Sequence, residues 1–219
     1  MVRTPKGRAK PADSLRRGQP TREPYERILI VCEGKKTEPN YFNEIRQEVR
    51  ISTLHIRILH SQEGTQPLQV VSFAEAEFKK TRQFEKVFAV FDRDDHTTYA
   101  NAIAKAESLN GKLENGEGKQ VIFKAIVSVP CFELWLLLHY EDIKYCFHRR
   151  EILQQLRTHI INYEKGQDGI YKLTKENLTI ATERSQYLKK HFLRLPGDEA
   201  YTEVDELVGI LRALRSSNR

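Results

Sequence analysis

Two short stretches decide the fold of this chain: Ile-Leu-Ile-Val-Cys-Glu-Gly at residues 28–34 and Val-Phe-Ala-Val-Phe-Asp-Arg-Asp-Asp at residues 87–95. Each is an apolar run that ends abruptly in carboxylates. Apolar runs of this length are typical of strands that are buried on both faces of a parallel sheet. Functional groups in open α/β sheets lie just beyond the carboxyl ends of the strands, so these carboxylates are the first candidates for a site.

Strands and helices alternate on either side of these stretches. Strands are predicted over residues 27–32, 54–58, 86–91 and 120–127, with helices after Thr37, from Pro67, and from Thr97 or Thr98 to about Asn110. This order indicates βαβ units with right-handed crossovers and a parallel sheet flanked by helices. A strongly apolar helix over residues 132–138 should be buried. From about residue 148 onward only helices are predicted, near residues 149–160, 174–193 and 202–215.

Composition divides the chain into a flexible basic arm (1–24), an α/β core (25–140) and a helical C-terminal region packed on that core (141–219). The arm holds seven Lys or Arg against Asp13 and Glu23, so it supplies +5 of the net charge of +6. Such an arm suits a polyanion, above all nucleic acid, with Arg16 and Arg17 among its candidate contacts. The alternative is a solubilising tail that contacts nothing.

Composition also argues against several classes of protein. The longest apolar run, residues 134–138, is far shorter than the roughly 20 residues of a membrane span, and no membrane partner is expected. No apolar segment follows the basic N-terminus, so we expect no secretory signal. Three cysteines do not make a disulfide framework, and a cytoplasmic protein is expected. No phosphate-binding P-loop occurs, so the chain is not its own ATPase.

Carboxylates at the strand ends predict a metal site. The candidate ligands are Glu33, Asp92, Asp94 and Asp95. Residues two apart on a strand point the same way, so Asp92 and Asp94 can present two carboxylates to one point. Oxygen ligands favour a hard divalent cation, which we expect to be Mg²⁺, with Mn²⁺ as a substitute. The alternative is that these residues form an exposed turn and cap the next helix.

Basic residues adjoin the acidic ones in both stretches. Lys35 and Lys36 follow the first strand, and Arg93 lies within the second acidic run. These cations would offset the charge of phosphate groups around a metal, which favours phosphoryl-transfer chemistry.

Two further groups of residues have competing interpretations. Glu133 opens the apolar helix, where it is either a further metal ligand or general base, or simply a favourable charge in the first turn. Cys131, His139, Cys146 and His148 match no paired zinc-ligand spacing and are interpreted as ordinary residues.

A Glu-Gly at the end of one strand and an Asp-x-Asp at the end of a later one resemble the Toprim fold of topoisomerases, primases and overcoming-lysogenization-defect nucleases. A closer resemblance is to the RloB family. It is carried by residues 28–42 (Ile-Leu-Ile-Val-Cys-Glu-Gly-Lys-Lys-Thr-Glu-Pro-Asn-Tyr-Phe), 90–95 (Val-Phe-Asp-Arg-Asp-Asp) and 130–140 (Pro-Cys-Phe-Glu-Leu-Trp-Leu-Leu-Leu-His-Tyr). The chain departs from that family's pattern at residues 129–131, Val-Pro-Cys.

The resemblance implies a Toprim-like (Rossmann-like) parallel sheet and a Mg²⁺-dependent nuclease. Glu33 matches the Toprim glutamate, and Asp92 and Asp94 match its Asp-x-Asp pair. It also implies an AAA/ABC-type ATPase partner in phage defence. It further strengthens Glu133 as a candidate for an additional acidic residue near the metals. The substrate stays open among DNA, RNA and tRNA, as does a homo-oligomeric state.

The main hypothesis is therefore a Mg²⁺-dependent endonuclease or nickase. Glu33, Asp92 and Asp94 would hold metal, Asp95 and Glu133 would assist, and Lys35 and Lys36 would stabilise charge on the phosphate. The alternative is a non-catalytic regulatory subunit of an ATPase with a vestigial acidic site, docked through its helical C-terminal region. A receiver-like phospho-acceptor is a weaker third, since only Glu33 follows the first strand.

Overall fold

A five-stranded sheet forms the centre of the molecule. The computed structural model describes residues 26–93, 97–144, 148–192 and 200–216. Its strands are β1 (Ile28–Cys32), β2 (Ile56–His60), β3 (Lys86–Asp92), β4 (Ile122–Val129) and β5 (Tyr201–Thr202). Every residue of β1 is buried, as expected for an apolar strand that helices cover on both faces.

The strand order is β2-β1-β3-β4-β5. This order creates a crevice at the carboxyl ends of the strands. The first four strands are parallel, and β5 pairs antiparallel with β4. The chain leaves β1 toward β2 but leaves β3 toward β4, so it changes direction between β1 and β3. Such a switch point opens a crevice beyond the carboxyl ends of the two strands, where ligands of open α/β sheets bind. Glu33 and Asp92 lie at this switch point.

Helices cover both faces of the sheet. They are α1 (Thr37–Glu48), α2 (Pro67–Thr81), α3 (Tyr99–Leu109), α4 (Glu133–Leu137), α5 (Arg149–His159), α6 (Ile170–Thr174), α7 (Leu178–Phe192) and α8 (Val204–Ser216). α2 and α3 contact each other and the sheet, while α1 and α8 contact each other and the sheet. Right-handed crossovers place the two pairs on opposite faces. The predicted α/β class, with a mostly parallel Rossmann-like sheet and helices on both faces, is confirmed.

The C-terminal region differs from the prediction of helices alone, because Tyr201–Thr202 joins the sheet as β5. A strand of two residues has no alternation that a sequence pattern can detect. The end of β4 was also predicted two residues early. Ser128 is polar, yet it is buried and its hydroxyl lies 2.9 Å from the Thr202 hydroxyl, so the strand continues to Val129. No helix in the described part of the chain is both long and apolar enough to cross a lipid bilayer.

The apolar helix α4 is buried as predicted, and a polar contact inside the core fixes its position. Trp135 is fully buried, and its indole Nε1–H donates to the Tyr41 hydroxyl of α1 over 2.8 Å. The Tyr41 ring also makes edge contacts with Phe132 and Tyr171. α1 follows β1 directly, so this contact joins α4 to the segment that begins at the crevice.

We predict that Tyr41→Phe lowers the free energy of unfolding by about 1–3 kcal/mol, because it leaves the buried indole N–H of Trp135 without an acceptor. Urea denaturation of both proteins measures the difference. Tyr187→Phe is the matched control, since Tyr187 is half-exposed and a phenyl ring keeps its stacking on His191. Equal losses in the two variants would contradict the role assigned to the Tyr41 hydroxyl.

Candidate metal and phosphate site

A pocket of about 300 Å³ opens at the switch point between β1 and β3. It is lined by residues from four separate parts of the chain: the β1–α1 segment, the end of β3, the start of α4, and two residues from beyond position 140. These residues are Glu33, Gly34, Lys35, Lys36, Thr37, Glu38, Asp92, Phe132, Glu133, Arg149 and Lys165. Carboxylates and cations therefore share one pocket.

Glu33 and Asp92 are held together by the backbone of the two central strands. The Glu33 N–H donates to the Val90 carbonyl over 2.9 Å, which extends the β1–β3 ladder by one residue. The Glu33 carboxylate accepts a 2.9 Å hydrogen bond from the Asp92 N–H. Asp92 is the last residue of β3 and is only 6% exposed. The predicted convergence of these two residues is therefore observed.

Glu133 is a buried carboxylate with only one of its two oxygens satisfied. The chain leaves β4 through a cis Val129–Pro130 peptide and places Glu133 as the first residue of α4. Its side chain is 2% exposed, and its Oε1 lies 3.0 Å from the Lys165 ammonium. Its Oε2 is buried without a hydrogen-bond partner. Buried carboxylate oxygens are rarely left in this state, so Oε2 is a candidate for a ligand contact.

Glu38, in the first turn of α1, is a pocket carboxylate that the sequence analysis missed. Its pKa is raised to about 7, chiefly by burial and also by the nearby carboxylates of Glu133 and Glu33, while hydrogen bonds from the Glu38 and Gly34 backbone oppose the rise. Gly34 leaves the room that this side chain occupies, since a Cβ there would lie 2.2 Å from Glu38 Oε2. The available signal was a second glutamate five residues after Glu33, at a helix start.

The basic side of the pocket combines predicted and unpredicted residues. Lys35 and Lys36 are exposed and line the pocket as predicted. Arg93 is outside the lining, and its N–H donates to the Ser128 carbonyl. Arg149 and Lys165, both from the C-terminal region, were not predicted. The remaining predicted residues, Asp94, Asp95, Arg16 and Arg17, lie outside the described part of the chain.

Lys165 reaches the pocket from a loop that rests on α1, formed by residues 161–169 and called here the Lys165 loop. The Asn40 amide donates to the Gly166 carbonyl over 3.0 Å and to the Asp168 carboxylate over 2.7 Å. The Gly169 N–H donates to Glu44 over 2.6 Å. Gly166 lies against Lys36, where an added Cβ would be 2.6 Å from the lysine Cβ. The loop is thereby fixed to the helix that carries one wall of the pocket.

The donors in the pocket fit a hard divalent cation by their chemistry. Glu33, Asp92 and Glu133 offer oxygen atoms, and Glu133 Oε2 has no other partner. Burial, together with the Glu133 and Asp92 charges, raises the pKa of the Cys131 thiol, which favours a neutral thiol over a soft thiolate ligand. Among residues 26–93, 97–144, 148–192 and 200–216, no three His, Cys, Asp or Glu come together as a ready metal-binding group.

Comparison with known proteins identifies one family. A family model described as RloB-like protein matches residues 28–211. This range contains all the residues that line the pocket and leaves out the basic arm. No curated protein and no solved structure matches the chain.

We predict that Gly166→Ala destabilises the protein more than Gly169→Ala does. Both glycines adopt a positive φ (+82° and +84°), so an alanine is strained by about 1–2 kcal/mol at either position. Only the Cβ at Gly166 meets another residue, Lys36, while nothing lies within 4 Å of one at Gly169. Urea denaturation of the two variants isolates the contact from the shared backbone strain, and equal destabilisation would contradict the close approach.

We also predict a pH-dependent stability that originates from Glu38. The folded state raises the pKa of this carboxyl from 4.5 to about 7, so it binds the proton more tightly than the unfolded chain does. The resulting stabilisation is present at low pH and falls by on the order of 3 kcal/mol as the pH rises from 4.5 to 7.

Chemical denaturation across pH 4.5–8 in EDTA measures this effect as the difference between wild-type protein and Glu38→Gln. That difference should shift in favour of the variant with rising pH and become constant above about pH 7. A difference that does not vary with pH would contradict the raised pKa.

Proposed function

The chain belongs to the RloB-like family, and from this membership and the pocket at the switch point we propose that it is a Mg²⁺-dependent nuclease that hydrolyses phosphodiester bonds. The observation that carries the proposal is the meeting of Glu33, Asp92 and Glu133 with Lys35 and other cations in one pocket. The class of substrate is nucleic acid, either DNA or RNA including tRNA.

The acidic side of the pocket supports a bound cation. Four carboxylates, Glu33, Glu38, Asp92 and Glu133, line a pocket of about 300 Å³, and burial together with the charges of Glu133 and Glu33 raises the pKa of Glu38. Mutual repulsion of this kind is relieved when a divalent cation binds. In this proposal Glu33, Asp92 and Glu133 hold Mg²⁺ or Mn²⁺. Asp94 and Asp95 stay predictions from the sequence as further ligands.

The basic side supports a phosphate group next to that cation. Lys35 and Lys36 follow the end of β1 and line the pocket. Arg149, the first residue of α5, lines the same pocket. Their charges would bind the phosphodiester and offset the negative charge that develops on its oxygens. Mg²⁺, when bound, supplies a charge that polarises the phosphate and lowers the pKa of water. Lys35 and Lys36 would hold that phosphate next to the carboxylates that bind the cation.

The basic arm and a partner ATPase extend the proposal beyond the pocket. The arm carries +5 of the net charge of +6, so its Arg16 and Arg17 are suited to electrostatic contact with a nucleic-acid backbone. An AAA/ABC-type ATPase would couple cleavage to phage defence, a role that rests on the family resemblance. The chain would then be the effector subunit of an ATPase-coupled anti-phage defence system.

A second candidate function is a non-catalytic subunit that regulates such an ATPase. The spacing of the possible metal ligands favours this candidate, because no three acidic, His or Cys side chains of the described residues form a ready metal-binding group. In that case the pocket would be vestigial. Neither the chain alone nor its complex with the ATPase would then show metal-dependent cleavage.

We predict that Asp92→Asn abolishes Mn²⁺ binding and lowers nucleic-acid cleavage by at least about 100-fold, because it removes a buried metal-binding carboxylate. Calorimetric titration measures binding, and gel assays with tRNA, single-stranded DNA and duplex DNA measure cleavage. Circular dichroism checks that the variant is folded.

Asp142→Asn is the matched control, since Asp142 is half-exposed, pairs with Lys144 over 3.6 Å and lies outside the pocket. It should bind metal and cleave as the wild type does. Retained cleavage in folded, nuclease-free Asp92→Asn would refute the catalytic assignment. Absence of cleavage by the wild type, with and without the ATPase, would favour the regulatory subunit.

A further inference from the structure

The ion pair between Lys165 and Glu133 is unequal in its exposure. The Glu133 side chain is 2% exposed, whereas the Lys165 side chain is 42% exposed. The Lys165 side chain is therefore partly open to solvent, while the carboxylate that its ammonium contacts is almost fully buried. Such a lysine loses little when it returns to solvent, but the buried carboxylate still needs a positive charge.

Polar atoms next to the ion pair lack hydrogen-bond partners, which is more typical of a binding site than of a structural salt bridge. Glu133 Oε2 and the hydroxyl of Tyr163, which also belongs to the Lys165 loop, are both buried without hydrogen-bond partners. Burial raises the pKa of the Tyr163 phenol, and the nearby Glu133 carboxylate raises it further, so the two groups are neighbours. A buried ion pair gains most when its remaining lone pairs are also satisfied, and here Glu133 Oε2 has no hydrogen-bond partner.

We propose that Lys165 is the resident counter-cation of Glu133: it compensates the buried carboxylate in the metal-free protein and is displaced when a divalent cation enters the pocket. This inference rests on the proposed function insofar as the pocket binds such a cation. Lys165 then competes with the metal for the Glu133 carboxylate. The Lys165 loop, through its contacts with α1, keeps the ammonium at this position.

Competition and structural support lead to opposite effects on metal affinity. If Lys165 competes with the cation, its removal strengthens metal binding, because the cation no longer has to displace an ammonium. If Lys165 only orders Glu133, its removal weakens metal binding or leaves it unchanged. A general effect of lost positive charge would also strengthen binding, but it would not require the Glu133 carboxylate.

We predict that Lys165→Met lowers the dissociation constant for Mn²⁺ by about 10-fold, a coupling within the usual range for interacting sites. Calorimetric titration with Mn²⁺ alone measures it. Lys165→Arg, which keeps the positive charge, should stay near the wild-type affinity. In a Glu133→Gln background, Lys165→Met should no longer change the affinity, as expected for a direct interaction in a double-mutant cycle. Lys172→Met, at an exposed lysine of α6, is the matched control.

A measurement on the wild-type protein avoids any effect of the substitutions on folding. Acylation of lysines with an N-hydroxysuccinimide ester, read by mass spectrometry, should label Lys165 faster when Mn²⁺ is present, while labelling of Lys172 stays the same. Unchanged labelling of Lys165, an unchanged or weaker Mn²⁺ affinity in Lys165→Met, or an equal gain in the Glu133→Gln background would each overturn the proposal. None of these measurements uses nucleic acid, so a lack of cleavage would refute the proposed nuclease without affecting this test.

Discussion

The parallel pairing of β1 with β3 is the interaction on which the site depends. These strands are neighbours in the sheet but not in sequence. The helix after β1 leads to β2 and the helix after β3 leads to β4, so the two connections run in opposite directions along the sheet. No helix can therefore cover the carboxyl ends of both, which opens the crevice. The hydrogen bond from the Asp92 N–H to the Glu33 carboxylate then fixes two acidic residues at that opening. Sheet topology, more than any single motif, brings the acidic groups together.

Placing carboxylates at this position is unfavourable unless cations compensate them. Glu133 and Asp92 are buried, and Glu38 has a pKa of about 7 because burial and its acidic neighbours oppose ionisation. The protein relieves part of this repulsion with its own groups: Lys165 pairs with Glu133, and the Gly34 backbone donates to Glu38. Internal cations and protons thus occupy the role that a metal would take, which connects the ion pair, the raised pKa and the proposed metal site.

The residues that sequence reasoning found are those marked by strand patterns. The positions of Glu33 and Asp92 follow from apolar runs that end in carboxylates, and the buried α4 follows from its apolar composition. Arg149 and Lys165 could not be predicted, because they reach the pocket through tertiary packing. The sequence of the Lys165 loop has no hydrophobic periodicity. Its path depends on residues with a left-handed backbone conformation, whose effect on chain direction appears only in three dimensions. β5 was missed for a related reason, since only its partner β4 defines it.

These unpredicted residues change which part of the chain makes up the functional unit. A boundary near residue 140 would separate Glu133 from its counter-ion Lys165, and β4 from its partner β5. It would also remove Tyr171 and the Lys165 loop from the face of α1. Glu133 would then be a buried carboxylate without the cation that pairs with it, which is a costly arrangement. The C-terminal region therefore contributes to the pocket directly, because it supplies Arg149 to the lining and the cation that pairs with the first residue of α4.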